Sequence, residues 1–354
     1  MKIKDFNINE GSKVFIIAEL SANHNGSLEV AIETIKAAKR SGADAIKFQT
    51  YTADTLTLNS TKEDFKVRGT IWDGKTYYDL YREAYTPWEW HQELFRVADN
   101  EGLVCFSSPF DATSVDLLES LGTPAYKIAS FEITDIPLIE LVASKGKPVI
   151  ISTGIATDED IELAILTCRK MGNDNIALLK CTSSYPAPLE EANLIMIRDL
   201  AERFNVITGL SDHTLGSTAP IVATCLGAKI IEKHFILDRT IGGPDASFSM
   251  NELEFTEMVK AIRDAELSIG SISYKLTDKQ EKGKDFSRSL YVVKDIKEGE
   301  IITKDHVKSI RPGFGLHPRY YSEVIGKAAG SDMGVGDRFT MDNFKNLKNV
   351  KGNI

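Results

Sequence analysis

Cysteine is sparse in this sequence: Cys105, Cys168, Cys181 and Cys225 lie far apart and form no CxxC pair. That spacing argues against a disulfide framework and a thiolate zinc site, and leaves the four as reduced packing residues. Long apolar runs are also missing, so no segment reaches the length that spans a bilayer. The first residues, MKIKDFNINEGSKVF, lack the apolar stretch and small-residue cleavage site of a secretory leader, which predicts a cytoplasmic protein with no membrane partner. A basic block is absent as well. The net charge of -9 offers nucleic acid no cationic footprint, so an anionic small substrate would need a local cationic pocket.

What is present is the balance of a globular enzyme, 42% hydrophobic and 26% charged over 354 residues, enough for one large core and a small second domain. Short β-rich runs alternate with helical-period segments. The runs are VFIIAEL (14–20), AIKFQ (45–49), VCFSS (104–108), AYKIAS (125–130), PVIIST (148–153), IALLKCTS (176–183), VITGLSD (206–212) and IIEKHFI (230–236). Helical segments such as 28–42, 158–172, 216–227 and 251–270 lie between or after them, several ending in Gly. Eight strand-helix repeats over some 250 residues predict an α/β fold, a (β/α)8 TIM barrel over 1–275. The second loop, 51–87, is long and rich in Tyr and Thr, which suggests a lid. A charged linker (276–288) then leads to a small, turn-rich domain (289–354) that would be marginal alone.

In such a barrel the chemistry sits at the C-terminal strand ends, and here those ends are polar. They carry Glu19, Lys47 with Gln49, Ser108, Lys127 with Ser130, Ser152, Ser183 with Tyr185, Ser211 with Asp212 and His213, and Glu232 with His234. A core built only for packing would not put so many ionisable groups there, because each buried unpaired one costs a few kcal/mol. His213 and His234, on adjacent strand ends with Glu19 or Asp212 nearby, suit a divalent metal that keeps open water positions. Lys47 and Lys127 with the hydroxyls of Ser108, Ser130, Ser152 and Ser211 suit a carboxylate and a phosphate on one small molecule. Glu19 can position a water or move a proton. A Schiff-base lysine, and hence an aldolase, is compatible with the same residues, as is a non-catalytic carbohydrate binder.

Nine segments carry a more specific likeness: IIAELSANHNG (16–26), IKFQTY (46–51), FSSPFD (106–111), YKIASFE (126–132), ISTG (151–154), CTSSYPAP (181–188), GLSDHT (209–214), EKHF (232–235) and GGPDASFS (242–249). In this order they resemble the sialic acid synthase family, the phosphoenolpyruvate-dependent synthases of nonulosonic acids. The C-terminal part, with DIKEGEIITKDHV and IRPGFG, resembles that family's antifreeze-like (SAF) domain. The resemblance implies a transferase that joins phosphoenolpyruvate to an N-acetylated amino sugar and releases phosphate by C–O cleavage. It implies that His213 and His234 bind Mn2+ or Mg2+, that Lys47, Lys127, Ser130, Ser152 and Ser211 hold phosphoenolpyruvate, and that Glu19 is the essential acid. Gln49, Ser108, Ser183, Tyr185 and Asp245 join the substrate-binding set, and Arg311 reaches in from the partner of a domain-swapped homodimer.

Within the family, ELSANHNG and GGPDASFS resemble the pseudaminic acid branch, and Ser183 stands where neuraminic-type members carry Asn. That implies 2,4-diacetamido-2,4,6-trideoxy-L-altrose as acceptor, with Ala22, Ala246 and Phe248 as a wall for its apolar end. N-acetylmannosamine and the legionaminic precursor are the rival acceptors.

Overall fold

Each apolar run separated by a helical segment becomes a parallel strand in the computed structural model, which describes residues 1–343. The strands are β1 (Phe15–Glu19), β2 (Ala45–Thr50), β3 (Val104–Pro109), β4 (Tyr126–Ile128), β5 (Val149–Ser152), β6 (Ile176–Cys181), β7 (Ile207–Asp212) and β8 (Ile230–His234). They close into a barrel in sequence order, β8 pairing with β1, so the parallel (β/α)8 barrel expected from the sequence is the observed fold.

The period of two along each strand divides its side chains between two environments. Phe15, Ile17, Ala45, Val104, Phe106, Ile150, Ala177, Leu179 and Ile230 pack together inside the barrel, joined by Ile3 and Ile8 of the N-terminal segment. Their neighbours Ile16, Ala18, Ile46, Phe48 and Ile231 pack instead on helix residues such as Ile35, Phe255 and Met258. Gly209, in β7, is required by closeness: a methyl there would strike the Ile230 carbonyl and Leu179. One pleat beyond the packed layer, the same alternation brings Glu19, Lys47, Lys127, Ser152, Ser211 and Glu232 to the inner face of the strands' C-terminal ends.

Helices α1 (Leu28–Arg40), α2 (His91–Asn100), α3 (Ala112–Ser120), α4 (Ile136–Ser144), α5 (Asp158–Lys170), α6 (Met196–Phe204), α7 (Thr218–Cys225) and α8 (Glu252–Ile269) surround the strands. Their starts are chemically marked, with Ser27, Asp111, Thr157 and Asn251 each accepting a hydrogen bond from the first-turn backbone. The second loop holds structure of its own, with short helices at Ala53–Leu56 and Tyr77–Ala84 and a bridge between Lys66 and Thr76.

The chain divides into two compact units at Gly270/Ser271, five residues before the expected junction. The stretch expected as a charged linker, 276–288, contains a helix, Asp278–Gly283, started by a reciprocal capping box between Thr277 and Gln280. In the second unit, β9 (Ser289–Val292) pairs antiparallel with β10 (Val307–Ile310) over a small core that includes Leu290, Val292, Ile302, Val324 and Phe339. Arg311 follows β10 and is exposed. Residues 344–354 of the expected domain lie outside the described residues.

Candidate active site

Two lysines and two carboxylates occupy the barrel mouth together, and all four are buried. Lys47 Nζ lies 3.0 Å from Glu19 Oε2, 3.3 Å from Glu232 Oε1 and 3.4 Å from Ser108 Oγ. Lys127 Nζ donates to Ser152 Oγ at 2.6 Å and to the Ile128 carbonyl at 3.1 Å, with Glu232 Oε1 3.8 Å away. Ser211 donates to the same Glu232 oxygen at 3.0 Å. The pocket that the sequence suggested was simply cationic is therefore balanced by carboxylates, as burial demands: an unpaired ion there costs several kcal/mol.

This balance sets the proton affinities. Burial pushes the Glu19 carboxyl up to about 7, with Lys47 opposing and Glu232 adding to the rise. Glu232 moves the other way: burial is outweighed by Lys127 and Lys47, which hold it below the usual carboxylate range. Burial lowers Lys127, whereas for Lys47 the two carboxylates outweigh burial and raise it. Two carboxyl groups with divergent affinities at one site suit acid–base work.

Hydroxyls complete this region. Ser183 donates to Ser130 at 2.7 Å, and Ser130 accepts from the Ile155 amide at 3.1 Å. Gly154 makes that approach possible, since a methyl there would collide with both hydroxyls and crowd Cys181. Gln49 Nε2 donates to Glu19 Oε1 and to Ser21 Oγ, both at 3.0 Å, and Ser21 donates to Asp245 Oδ2 at 2.5 Å. Ser21 holds a left-handed φ of 46°, an uncommon backbone conformation for a residue with a Cβ and one that clusters at functional sites.

His213 and His234 come together with ring centroids 5.3 Å apart. His213 Nδ1 lies 2.9 Å from the Thr182 carbonyl, which leaves Nε2 for another partner. His234 Nδ1 is buried with no hydrogen-bond partner among the described residues, and burial with the His213 charge holds the ring neutral. A neutral imidazole with an orphaned nitrogen beside a second imidazole fits a divalent cation. The adjacent carboxylate is neither of the two expected: Asp212 is paired with Lys233 at 2.5 Å and Glu19 with Lys47, while Asp245 Oδ2 stands 3.7 Å from His234 Nδ1. Among the described residues no three His, Cys, Asp or Glu side chains form a metal cluster, so two imidazoles would leave most coordination positions to substrate and water.

Over these groups opens a cavity of about 300 Å3. Gln49, Ser130, Tyr185, His234 and Asp245 line it, with Trp72 and Tyr81 from the second loop. The Tyr185 ring lies 4.4 Å from His213 and 5.7 Å from Trp72, whose Nε1 donates to the Pro244 carbonyl at 3.0 Å. Of the wall expected from Ala22, Ala246 and Phe248, only Ala22 lines the cavity; Phe248 is buried behind Tyr185 and His234, 5.3 and 5.0 Å from their rings. Two carboxylates had no role in the sequence reading. Glu232 was legible from its place two residues before His234 on an inner face. Glu132 sits just past β4, lines the cavity and is pushed by burial to about 7.

The NeuB family model matches residues 34–274, and the SAF domain model matches 287–345. The pseudaminic acid synthase of Campylobacter jejuni is 51% identical over 339 residues, 96% of this chain and 99% of that protein. The N,N'-diacetyllegionaminic acid synthase of Legionella pneumophila is 38% identical over 327 residues, 91% of this chain and 92% of that protein. The crystal structure of the N-acetylneuraminic acid synthetase from Leptospira borgpetersenii aligns with a TM-score of 0.72 at 30% identity, over 80% of this chain and 94% of that one. A barrel matched over most of its length, with relatives at such identity end to end, makes this chain a member of the NeuB family with a SAF domain after the barrel.

Proposed function

We propose that this protein is a pseudaminic acid synthase, condensing phosphoenolpyruvate with 2,4-diacetamido-2,4,6-trideoxy-L-altrose and water to give pseudaminic acid and phosphate. The observation that carries the reading is the 51% identity over nearly the whole length of a pseudaminic acid synthase, against 38% for a legionaminic one.

The chain's own groups supply what the reaction requires. Lys47 and Lys127 provide fixed positive charge for the phosphate and carboxylate of phosphoenolpyruvate, and Ser130, Ser152, Ser183 and Ser211 provide hydroxyl donors around them. Phosphoenolpyruvate competes with Glu232 for the lysines and takes over part of its role as counter-ion. Carbon 3 attacks the aldehyde carbon, a new C–C bond forms, and carbon 2 becomes electron-deficient. Glu19, near neutrality and held by Gln49, accepts a proton from the water that adds to carbon 2 and returns it to the alkoxide left on the former aldehyde oxygen; collapse of the adduct forms the C2 carbonyl, breaks the C–O bond and expels phosphate, which carries away the adduct's hydroxyl proton. Asp245, Ser21 and Tyr185 orient the acceptor in the cavity. A divalent ion held by His213 and His234 would supply Lewis acidity to the aldehyde oxygen when bound. By family likeness the working form is a domain-swapped homodimer in which Arg311 of one copy serves the barrel of the other, and phosphoenolpyruvate, an intracellular metabolite, places the reaction in the cytoplasm.

The test is phosphate release from phosphoenolpyruvate by EDTA-treated enzyme, with and without Mn2+, offered the trideoxy altrose sugar or N-acetylmannosamine. Mn2+-dependent release with the altrose sugar is expected. Release only with N-acetylmannosamine would keep the family and overturn the acceptor, and borohydride trapping of a lysine without metal dependence would favour an aldolase.

A further inference from the structure

The cavity lining is of two chemistries. Gln49, Asp245 and His234 line the cavity with polar groups, and a second, largely apolar wall is made by Leu80 and Tyr81 of the second loop together with Tyr51 and Phe131. Bond formation at the aldehyde carbon makes no use of this second wall. Its rings are nonetheless arranged in advance, with Tyr81 edge-on to Tyr51 at 5.8 Å and Tyr51 edge-on to Phe110 at 5.1 Å. Phe131 stands out because it lines the cavity yet is 55% exposed. A large apolar ring that lines a cavity and stays half in water is available for a ligand to cover.

We propose that Tyr81, Leu80 and Phe131 form the subsite for the far end of the acceptor, where carbon 6 of the trideoxy sugar is a methyl rather than a hydroxymethyl group and carbon 4 carries an acetamido group. This rests on the acceptor proposed above. The methyls of both substituents meet Leu80 and the face of Phe131, and the Tyr81 hydroxyl is a donor suited to an amide carbonyl. Acceptor choice then draws on the second loop, which places no side chain in the lysine–carboxylate cluster, and on Phe131 in the turn after β4.

The experiment is steady-state phosphate release by the full-length, metal-loaded protein, titrating the trideoxy sugar and phosphoenolpyruvate separately for wild type, Tyr81→Ala and Phe131→Ser. The acceptor KM is expected to rise about tenfold in each variant, the scale of a lost methyl contact in an apolar pocket, while the phosphoenolpyruvate KM stays within about twofold. Phe131→Ser alters a half-exposed side chain and so gives a readout even if Tyr81→Ala fails to fold. An unchanged acceptor KM in Phe131→Ser, or a phosphoenolpyruvate KM that rises in step, would overturn the subsite and leave the synthase reading standing. No turnover of the trideoxy sugar by the wild type would overturn that reading, and the subsite with it.

Discussion

Glu19 and Glu232 share Lys47 but differ in what else they face, and that difference assigns their work. Glu232 has Lys127 and the Ser211 hydroxyl as well, so it stays ionised; Glu19 has Gln49, a neutral partner, and is driven toward protonation by burial. A base must be ionised to accept a proton, so kcat/KM is expected to rise as pH passes through about 7, where Glu19 deprotonates. Glu19→Gln removes the base while keeping its shape, and kcat should fall ~10^2-fold or more with little change in phosphoenolpyruvate binding. A flat profile between pH 6 and 8, or near-normal turnover by Glu19→Gln, would remove Glu19 from the proton-transfer role. At this scale the polar strand ends were readable one by one, but the pairing of Lys47 with two carboxylates was not. Those residues are 28 and 185 positions from Lys47, and only closure of the barrel brings them within 3.3 Å.

Several loops act as fitted parts between strands. The turn after β5 holds Gly154 against Ser130 and Ser183, residues from the ends of β4 and β6. Gly154→Ala should therefore spread those two hydroxyls and raise the phosphoenolpyruvate KM, by about tenfold for a disturbed pair of polar contacts, with the acceptor KM little changed. Titration of each substrate against the variant checks this, and an unchanged phosphoenolpyruvate KM would show that Ser130 and Ser183 do not hold it. The second loop was recognisable as an insertion over the mouth from its length and aromatic content. Its pinning by Trp72 to the Pro244 carbonyl was not, because that bond joins residues 172 positions apart. Helix boundaries were more accessible, for the caps that set them lie within three residues of the helix start.

At the scale of the whole molecule, acid should be the weak side. His24 and His91 are buried and held neutral, burial pulling both to about 4 from an ordinary 6.5, with His91 adding to the effect on His24. His91 Nε2 meets Thr50 Oγ1 at 2.8 Å and its Nδ1 the Pro87 carbonyl at 3.2 Å, so it ties the end of β2 to the far end of the second loop. The unfolded chain takes up protons below about 6.5 and the folded chain only near 4. Stability is therefore lost as pH falls through that window and levels off beneath it, at ~3 kcal/mol per histidine. Thermal unfolding midpoints measured from pH 7 to 4 should show this drop, with His91→Gln shallower than wild type; parallel curves would assign the acid sensitivity elsewhere. The sequence by itself determined the barrel, its strand order and the face on which chemistry collects, because these follow from a period of two within strands, a helical period between them and the handedness of the crossover. Only the tertiary structure decided that the lysines are neutralised by Glu19 and Glu232, that Asp245 and not Asp212 stands beside the histidine pair, and that the second loop supplies an apolar wall. Each of those is a contact between strands or loops distant in the chain, where charge, burial and shape are settled by what the closed barrel brings near.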